Sequence, residues 1–474
     1  MRLLILLLAG VLTALSADKA AQIDELLRQY HDSKQFNGAA LVAESGKVVF
    51  KKGYGMANFE WNIPNTPDTR FRLGSITKQF TATIILQLVD EGKLKLDDKL
   101  SRFIPDYPKK TADRVTIHHL LTHTSGIPSY TGFPDFFRDK SRNPYHPLEL
   151  AKLWWDMELE FEPGSRMRYN NSGYHLLGVV IEKATGKTYT EALGERIFRP
   201  LGMTATGYDL HTPIMPKRAG AYQMTLDGVE NAPYLDMTIP YAAGSLYSTA
   251  EDLYIWDQAL YTDKVLPAKS REKMFTAALN NYAYGWVVRK GKAGDRGYTV
   301  IGHGGGINGF STLIERLIED RHLIVLLNNT GGARLEEMSQ GIQNILYGAP
   351  LTPMKKPSAA ALYQIVLNKG VEEAVKQARA WSADSTSGYG VSSGDLASLA
   401  SHLTKIKRTS EAIEIGKLNA ELNPKVASAH YSLGESYREA GRRQDAIRAY
   451  AKALELNPDE GSPVAQRLKE MLSK

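Results

Sequence analysis

The sequence predicts an α+β domain followed by an all-helical domain, and two observations support this. Segments typical of β-strands lie at residues 38–52 and 298–327, at the two ends of a mainly helical region. Because strands bury their apolar faces by pairing, we expect both ends to share one antiparallel sheet flanked by helices. After about residue 350 the β-branched runs largely disappear, which predicts helices for the rest of the chain.

The first sixteen residues have the pattern of a signal peptide. Arg2 is followed by a mostly apolar run, residues 3–15, that is shorter than the ~20 residues of a membrane span. Ala14-Leu15-Ser16 then matches the small-x-small pattern that a signal peptidase accepts. We therefore predict a signal peptide at residues 1–16 and a periplasmic or secreted protein without a stable membrane span. An uncleaved anchor is the alternative.

The elements of the first domain follow from hydrophobic spacing. Residues 38–52 form a hairpin that turns at 44–46, and residues 298–301, 311–318 and 323–327 supply further strands. One helix between them should end at Gly92 and another at Gly186. The first of these helices is marked by apolar residues at every fourth position, Ile76, Phe80, Ile84 and Leu88.

Composition excludes several kinds of chemistry. The 474 residues contain no cysteine, which excludes disulfides, thiolate metal sites, a cysteine nucleophile and a lipidated cysteine anchor. The formal charge of +6 is small for this length and gives no reason to expect a nucleic-acid partner.

The second domain follows a linker marked by Pro350, Pro353 and Pro357. Ala412-Ile413 recurs 34 residues later as Ala446-Ile447, and the sequence of residues 421–424 recurs at 455–458. That period is typical of the tetratricopeptide repeat, a helix-turn-helix unit. We predict a degenerate repeat at residues 393–426 and a clear one at 427–460. The clear copy carries Leu433, Gly434, Tyr437, Ala446, Tyr450, Ala453 and Pro458 at the expected spacing.

A helical pair at residues 359–380 is a candidate for a third, irregular unit, since isolated repeats cannot bury their own faces. Because stacked repeats form grooves suited to peptides or helices, we expect a protein partner here. The alternative is that these helices only stabilise the first domain.

His119 and His123 are four residues apart, which would place them on one face of a helix. A zinc protease would carry Glu between them, where this chain has Leu120. We interpret the segment as a helix packed near a cleft, and we expect neither a metal nor another cofactor.

A G-x-S-x-G pattern occurs at residues 390–394 around Ser392. A nucleophile in this motif needs a strand before the serine and a helix after it. The residues before it are polar and typical of a loop. We therefore do not expect Ser392 to be a nucleophile.

The pattern Ser-x-x-Lys occurs three times, beginning at Ser16, Ser270 and Ser75. Only Ser75 begins an apolar helix, where free backbone N–H groups favour negative charge. Lys78 is three residues later and faces the same side. If burial lowers its pKa, Lys78 can accept the proton of Ser75.

Two other motifs occur once each. Tyr169-Asn170-Asn171 precedes a predicted helix, and His303-Gly304-Gly305 lies on a predicted strand. With residues 71–78, 120–126, 200–203 and 302–305, these motifs make the chain resemble the serine β-lactamase and penicillin-binding protein superfamily. The resemblance is strongest to its class C-like branch and covers about residues 20–345. It implies a β-lactamase/transpeptidase-like fold for a domain at residues 17–350, followed by the repeat domain at 351–474.

The resemblance also implies roles for individual residues. Ser75 would form an acyl-enzyme, and Lys78 and Tyr169 would move its proton to the leaving group. Asn171 would bind Lys78 and the substrate's amide. The backbone N–H groups of Ser75 and Gly306 would form an oxyanion hole, in which one donor is typically worth ~3 kcal/mol.

The same comparison suggests further substrate contacts. Gly304, Gly305 and Gly306 would leave a strand edge bare for a substrate backbone, and Tyr130 would border the cleft. His303 stands where β-lactamases usually carry a lysine that binds a carboxylate. Because histidine is largely neutral at pH 7, this argues against efficient antibiotic hydrolysis.

The sequence therefore predicts an exported serine hydrolase that cleaves a small peptide, a peptidoglycan-derived substrate or an ester. A D-alanyl-D-alanine carboxypeptidase-like peptidase and an esterase both fit. One alternative is a true β-lactamase. The other is a catalytically silent protein that binds a peptide or partner. Loss of a motif residue would favour the silent protein, but the sequence retains every residue of the three motifs.

Overall fold

The computed structural model describes residues 18–133, 136–458 and 463–473. The chain divides into two compact units: the first extends to Met224 and includes Val229–Thr352, and the second comprises Thr225–Gly228 and Pro353–Lys474. Residues 1–16 lie outside the described residues, so the signal peptide and its cleavage stay predictions. No helix in the described ranges is long and apolar enough to cross a bilayer.

A six-stranded antiparallel sheet is the centre of the first unit. Its strands are Gly38–Glu44 (β1), Lys47–Tyr54 (β2), Val287–Ala293 (β3), Arg296–Ile307 (β4), Phe310–Leu317 (β5) and His322–Asn328 (β6). Their order in the sheet is β3-β4-β5-β6-β1-β2. Gly38 of β1 pairs with Asn328 of β6, so the two ends of the unit share one sheet as the sequence predicts. The α+β fold is thereby confirmed.

How deeply a strand is buried explains whether its sequence pattern predicts it. All seven residues of β6 are buried, and a strand covered on both faces reads as a continuous apolar run. Strand β3 is an edge strand in which polar residues such as Arg289, Lys290 and Lys292 interrupt the apolar ones. It lacks the strand signal of its neighbours and was not predicted.

The longer helices of this unit begin and end where local signals place them. The Asn170 side chain caps α3 by accepting from the Gly173 N–H at 2.6 Å, and Gly186, with φ +69°, ends it. Gly92 follows the end of α2, as predicted. The helices are residues 18–32 (α1), Thr77–Asp90 (α2), Asn171–Thr185 (α3), Ala250–Ala259 (α4), Ala268–Phe275 (α5) and Leu335–Tyr347 (α6).

Shorter elements connect them. The short helices are Gly74–Ile76, Leu100–Arg102, Lys109–Ala112, Ile117–Leu121, Tyr130–Gly132, Phe136–Asp139, Pro147–Ala151, Tyr189–Leu193, Gly194–Phe198, Arg199–Leu201, Tyr241–Gly244 and Leu279–Asn281. The short strands are Met56–Asn58, Ile63–Pro64, Phe71–Arg72, Gly207–Tyr208, Tyr222–Thr225, Gly228–Asn231 and Leu246–Ser248. The hydrophobic core is continuous between the sheet and the helical region, and α2 lies within it, with Phe80, Ile84 and Leu88 fully buried.

The prediction that His119 and His123 share one helix face is wrong. His119 and His123 do not lie on one helix face, because the helix Ile117–Leu121 ends before His123. His123 instead has a left-handed backbone, with φ +58°.

The second unit contains seven helices among its described residues. Gly434 of α11 faces the ring of Tyr450 in α12 so closely that a Cβ would lie 2.5 Å from the ring. The repeat's glycine therefore makes room for its tyrosine. The helices are Ala359–Lys369 (α7), Val371–Ala383 (α8), Ser393–Lys405 (α9), Thr409–Leu422 (α10), Ala427–Glu439 (α11), Arg443–Leu456 (α12) and Pro463–Leu472 (α13), and a two-stranded pair joins Lys356–Pro357 to Tyr389–Gly390.

Candidate active site

Ser75 lies in the tight helical turn Gly74–Ile76 that leads directly into α2. Gly74 has φ +54°, a conformation that favours glycine, and a Cβ there would lie 3.0 Å from the Gly306 nitrogen. The glycine thus lets the serine turn approach strand β4. Backbone N–H groups at the start of a helix have no partner within it, so they are free to bind an anionic oxygen.

Lys78 is completely buried beneath Ser75, with its Nζ 3.1 Å from Ser75 Oγ. The same Nζ lies 2.8 Å from Asn171 Oδ1 and 2.8 Å from the Ala243 carbonyl oxygen. None of these partners carries a charge. Burial therefore lowers the pKa of Lys78 well below its ordinary value.

Tyr169 faces the same cluster from the segment just before α3. Its ring centroid lies 4.8 Å from Lys78 Nζ, and its hydroxyl interacts with Ser75. Although the residue is 38% exposed, desolvation by the surrounding protein outweighs the contact with Ser75 and raises the pKa of Tyr169. The phenol is therefore protonated at neutral pH.

Asn171 is held on two sides by the turn that follows Pro128. Its backbone N–H donates to Ser129 Oγ at 3.1 Å, and its Nδ2 donates to Thr131 Oγ1 at 3.0 Å. This second bond assigns Oδ1 to the side of Lys78, as a lysine donor requires. The sequence-predicted contact between Asn171 and Lys78 is present.

Strand β4 forms the opposite wall. Strand β3 pairs with it only as far as Gly302, so one edge of residues 303–307 has no strand partner. A Cβ on Gly305 would lie 2.0 Å from the Leu73 carbonyl oxygen, whereas one on Gly306 would meet nothing within 4 Å. Gly305 is therefore required for packing against the serine turn, while Gly306 leaves open space beside it.

His303 is buried, and both of its ring nitrogens are occupied. Nδ1 lies 2.5 Å from the Gly304 carbonyl, which can only accept, so Nε2 accepts from the Tyr282 hydroxyl at 3.1 Å. Burial and the neighbouring Lys78 lower the pKa of His303 to about 4. Both polar atoms of the His303 ring therefore have partners within the protein, and its predicted contact with a substrate stays a prediction.

The cavity beside Ser75 has a volume of about 310 Å³. Asn171 and Gly306 lie on its reactive side, and the apolar residues include Phe137, Leu235 and Ile239. Tyr130 also lines it, but the tyrosine is buried, with its ring 5.2 Å from that of Trp154 and its hydroxyl donating to the Ile239 carbonyl. No described residue of the lining carries a charged side chain.

The other sequence candidates lie in structural contacts. Ser392 Oγ caps α9 by accepting from the Asp395 N–H at 3.1 Å, and it also donates to the Asp395 carboxylate. Ser270 Oγ donates to Asp90 Oδ1 at 2.6 Å. Ser16 lies outside the described residues. Within those residues no three His, Asp or Glu side chains are grouped so as to hold a metal ion.

Three contributors were not predicted, namely the Ala243 carbonyl, Ser129 and Thr131. The two hydroxyl side chains follow Pro128 at alternate positions, a weak sign that they share a face. The small residues Ala242-Ala243-Gly244 allow close approach of backbone, which is the signal for Ala243.

Comparison with known proteins places this geometry in context. A family model described as Beta-lactamase matches residues 23–346, and one described as Tetratricopeptide repeat matches residues 427–460. Penicillin-binding protein 4* of Bacillus subtilis (strain 168) is 31% identical over 378 residues, which cover 72% of this chain and 79% of that protein. The crystal structure of a penicillin-binding protein from Bacillus halodurans has a TM-score of 0.58 and 29% identity, over 68% of this chain and 97% of its own. D-amino acid amidase from Ochrobactrum anthropi SV3, complexed with L-phenylalanine amide, has a TM-score of 0.60 and 27% identity, over 70% and 98%.

Proposed function

The chain belongs to the β-lactamase family of serine hydrolases, and we propose that it cleaves neutral amides or esters through an acyl-enzyme on Ser75. The observation that carries the proposal is the set of three contacts around Lys78 Nζ. A neutral amine has two N–H donors and one lone pair. Two carbonyl oxygens, those of Asn171 and Ala243, take the donors and leave the lone pair for the Ser75 hydroxyl.

Acylation then follows from this arrangement. The Ser75 proton passes to Lys78 as Oγ bonds to the substrate carbonyl carbon, and the carbonyl electron pair moves to its oxygen. The N–H groups of Ser75 and Gly306 stabilise that oxyanion. The oxyanion's electron pair then re-forms the carbonyl as the bond to the leaving group breaks. Tyr169, protonated at neutral pH, gives its proton to the leaving amine or alcohol and takes up the proton held by Lys78, which restores both side chains. Water hydrolyses the acyl-enzyme by the reverse proton path.

The lack of charge in the cavity supports a neutral substrate. A carboxylate placed there would lose its hydration without gaining a countercharge from the lining, which is uncharged, and burial disfavours a charge on Lys78. His303, with a pKa of about 4, supplies no cation either. This favours an esterase or an amidase over a carboxypeptidase that must bind a terminal carboxylate.

Labelling tests the proposal. We expect a fluorophosphonate, which is neutral, to modify Ser75, as mass spectrometry of the digested protein would establish. A fluorescent penicillin carries a carboxylate and should react with Ser75 at least about tenfold more slowly, equivalent to about 1.4 kcal/mol. Faster labelling by penicillin would favour the β-lactamase alternative. If neither probe reacts, the silent binding protein is favoured.

We also propose that the second unit binds a protein segment, as tetratricopeptide repeats do. Deleting residues 353–474 should leave kcat on a small neutral ester and the melting temperature of the remaining domain nearly unchanged. A matched point variant is Gly434→Val, whose side chain would collide with Tyr450 and disrupt the repeat alone. A truncated protein that is insoluble or melts many degrees lower would favour the stabilising alternative.

A further inference from the structure

His123 is a buried side chain for which the mechanism above has no use. It is fully buried and has a left-handed backbone with φ +58°, which few residues other than glycine adopt. Its Nε2 has no hydrogen-bond partner in the described structure. Strained, incompletely satisfied residues persist where the surroundings enforce them, and they cluster at functional sites.

The contacts of His123 surround Tyr169. The backbone N–H of Arg168 donates to the His123 carbonyl oxygen at 2.9 Å, and the N–H of Asn170 donates to His123 Nδ1 at 3.0 Å. The two residues that flank Tyr169 are therefore both held by one histidine. The His123 ring also lies 4.3 Å from the Tyr169 ring, measured between centroids.

The protonation of His123 fits this role. An Nδ1 that accepts from a backbone N–H must be unprotonated, so the imidazole is neutral with its proton on Nε2. Burial, with smaller effects of Lys78 and His303, lowers the pKa of His123 well below its ordinary value. The acceptor at Nδ1 is therefore present throughout the neutral pH range.

We propose that His123 is a positioning residue whose Nδ1 acceptor fixes the segment of Tyr169 and Asn171 against Ser75. This inference rests on the proposed function. Other contacts hold the side chains of Asn170 and Asn171, as in the Asn170 cap of α3, or the backbone of Asn171, as in its bond to Ser129. The two bonds of His123 hold the backbone directly before and directly after Tyr169.

Two substitutions at His123 distinguish the effect of its Nδ1 acceptor from the effect of its ring. His123→Phe keeps a ring of similar size and removes the acceptor. His123→Asn removes the ring, but its Oδ1 is the same number of bonds from Cα as Nδ1, and asparagine tolerates the left-handed backbone. The matched control is His322→Phe, since His322 is buried and its Nδ1 accepts from the Ser45 N–H at 3.0 Å. Its ring lies 5.3 Å from that of Tyr347, and neither Ser45 nor Tyr347 belongs to the site.

The readout is kcat and KM on a neutral ester, with the melting temperature of each variant. A misplacement near 1 Å costs about 100-fold in rate, so we expect His123→Phe to lose at least about thirtyfold in kcat. Its KM should change little, and His123→Asn should retain most of the wild-type kcat. His322→Phe should melt at a lower temperature but keep its kcat.

Three results would overturn the inference: full kcat in His123→Phe, equal losses in His123→Phe and His123→Asn, or an unfolded His123→Phe. The last would assign His123 to the fold rather than to the site. Ser75→Ala is assayed in parallel. Activity retained by Ser75→Ala would contradict the proposed function itself, whereas normal activity in the His123 variants contradicts only this inference.

Discussion

Ser75→Ala should reduce hydrolysis of any ester or amide by at least about 10⁴-fold, the scale seen when a serine hydrolase loses its nucleophile. The substitution removes the only hydroxyl that lies beside Lys78 Nζ in the described contacts. Little else should change, because the hydroxyl is small and its removal leaves the backbone of Gly74–Ile76 intact. Stopped assays on a neutral ester, with a thermal melt, measure both effects.

The chain supplies its own control for this experiment. Ser270 begins a second Ser-x-x-Lys pattern, and its hydroxyl donates to Asp90 in a purely structural contact. Ser270→Ala should therefore lower stability by about 1 kcal/mol and leave kcat unchanged. Near wild-type rates in Ser75→Ala, together with loss of activity in Ser392→Ala, would contradict the whole assignment.

The sequence predicts the parts of the site that depend on local spacing. Ser75 and Lys78 are one helical turn apart, so their contact follows once the helix is recognised. Strand pairing across the unit was also predictable, because β1 and β6 are strongly apolar and had to be buried.

The remainder depends on contacts between distant residues. The Ala243 carbonyl meets Lys78 across 165 residues of chain, and any residue type carries a carbonyl. The hydrogen bonds of His303 also depend on the fold. The sequence places His303 at a position that resembles a substrate-binding one, but it does not show that Tyr282 and Gly304 bind both ring nitrogens. Gly305 is a third example. A glycine at this position could serve either close packing or access of a substrate, and only the structure, in which the Leu73 carbonyl oxygen approaches Gly305, shows that packing requires it.

Burying Lys78 without a countercharge lowers the free energy of unfolding. Neither the Ser75 hydroxyl nor the Asn171 amide carries a charge, so protonated Lys78 would be an unpaired buried cation. Burial therefore lowers the pKa of Lys78 and favours release of its proton when the protein folds. In the proposed mechanism the free lone pair accepts the Ser75 proton, so the burial that lowers stability is also what would make Lys78 a base.

Lys78→Met should abolish turnover and also change how stability depends on pH. Methionine fills a similar volume but has no lone pair for the Ser75 proton, so we expect kcat to fall by about 10³-fold or more. Folding lowers the pKa of Lys78 from its ordinary value of 10.5, so between the folded value and 10.5 the unfolded chain binds a proton that the folded chain does not. Stability contributed by Lys78 therefore increases with pH across that window, by up to about 1.4 kcal/mol per pH unit.

Denaturant melts of the two proteins at pH 7, 8 and 9 measure this effect. Wild-type stability minus that of Lys78→Met should rise steadily with pH, because all other titrating groups are common to both proteins. Lys273, the exposed lysine of the pattern that begins at Ser270, provides the control. Lys273→Met should retain full activity, and its stability relative to the wild type should not change steadily with pH. A flat difference for Lys78→Met would mean that Lys78 stays protonated in the folded protein. Lys78 could not then act as the base, and the proposed path for the Ser75 proton would be wrong.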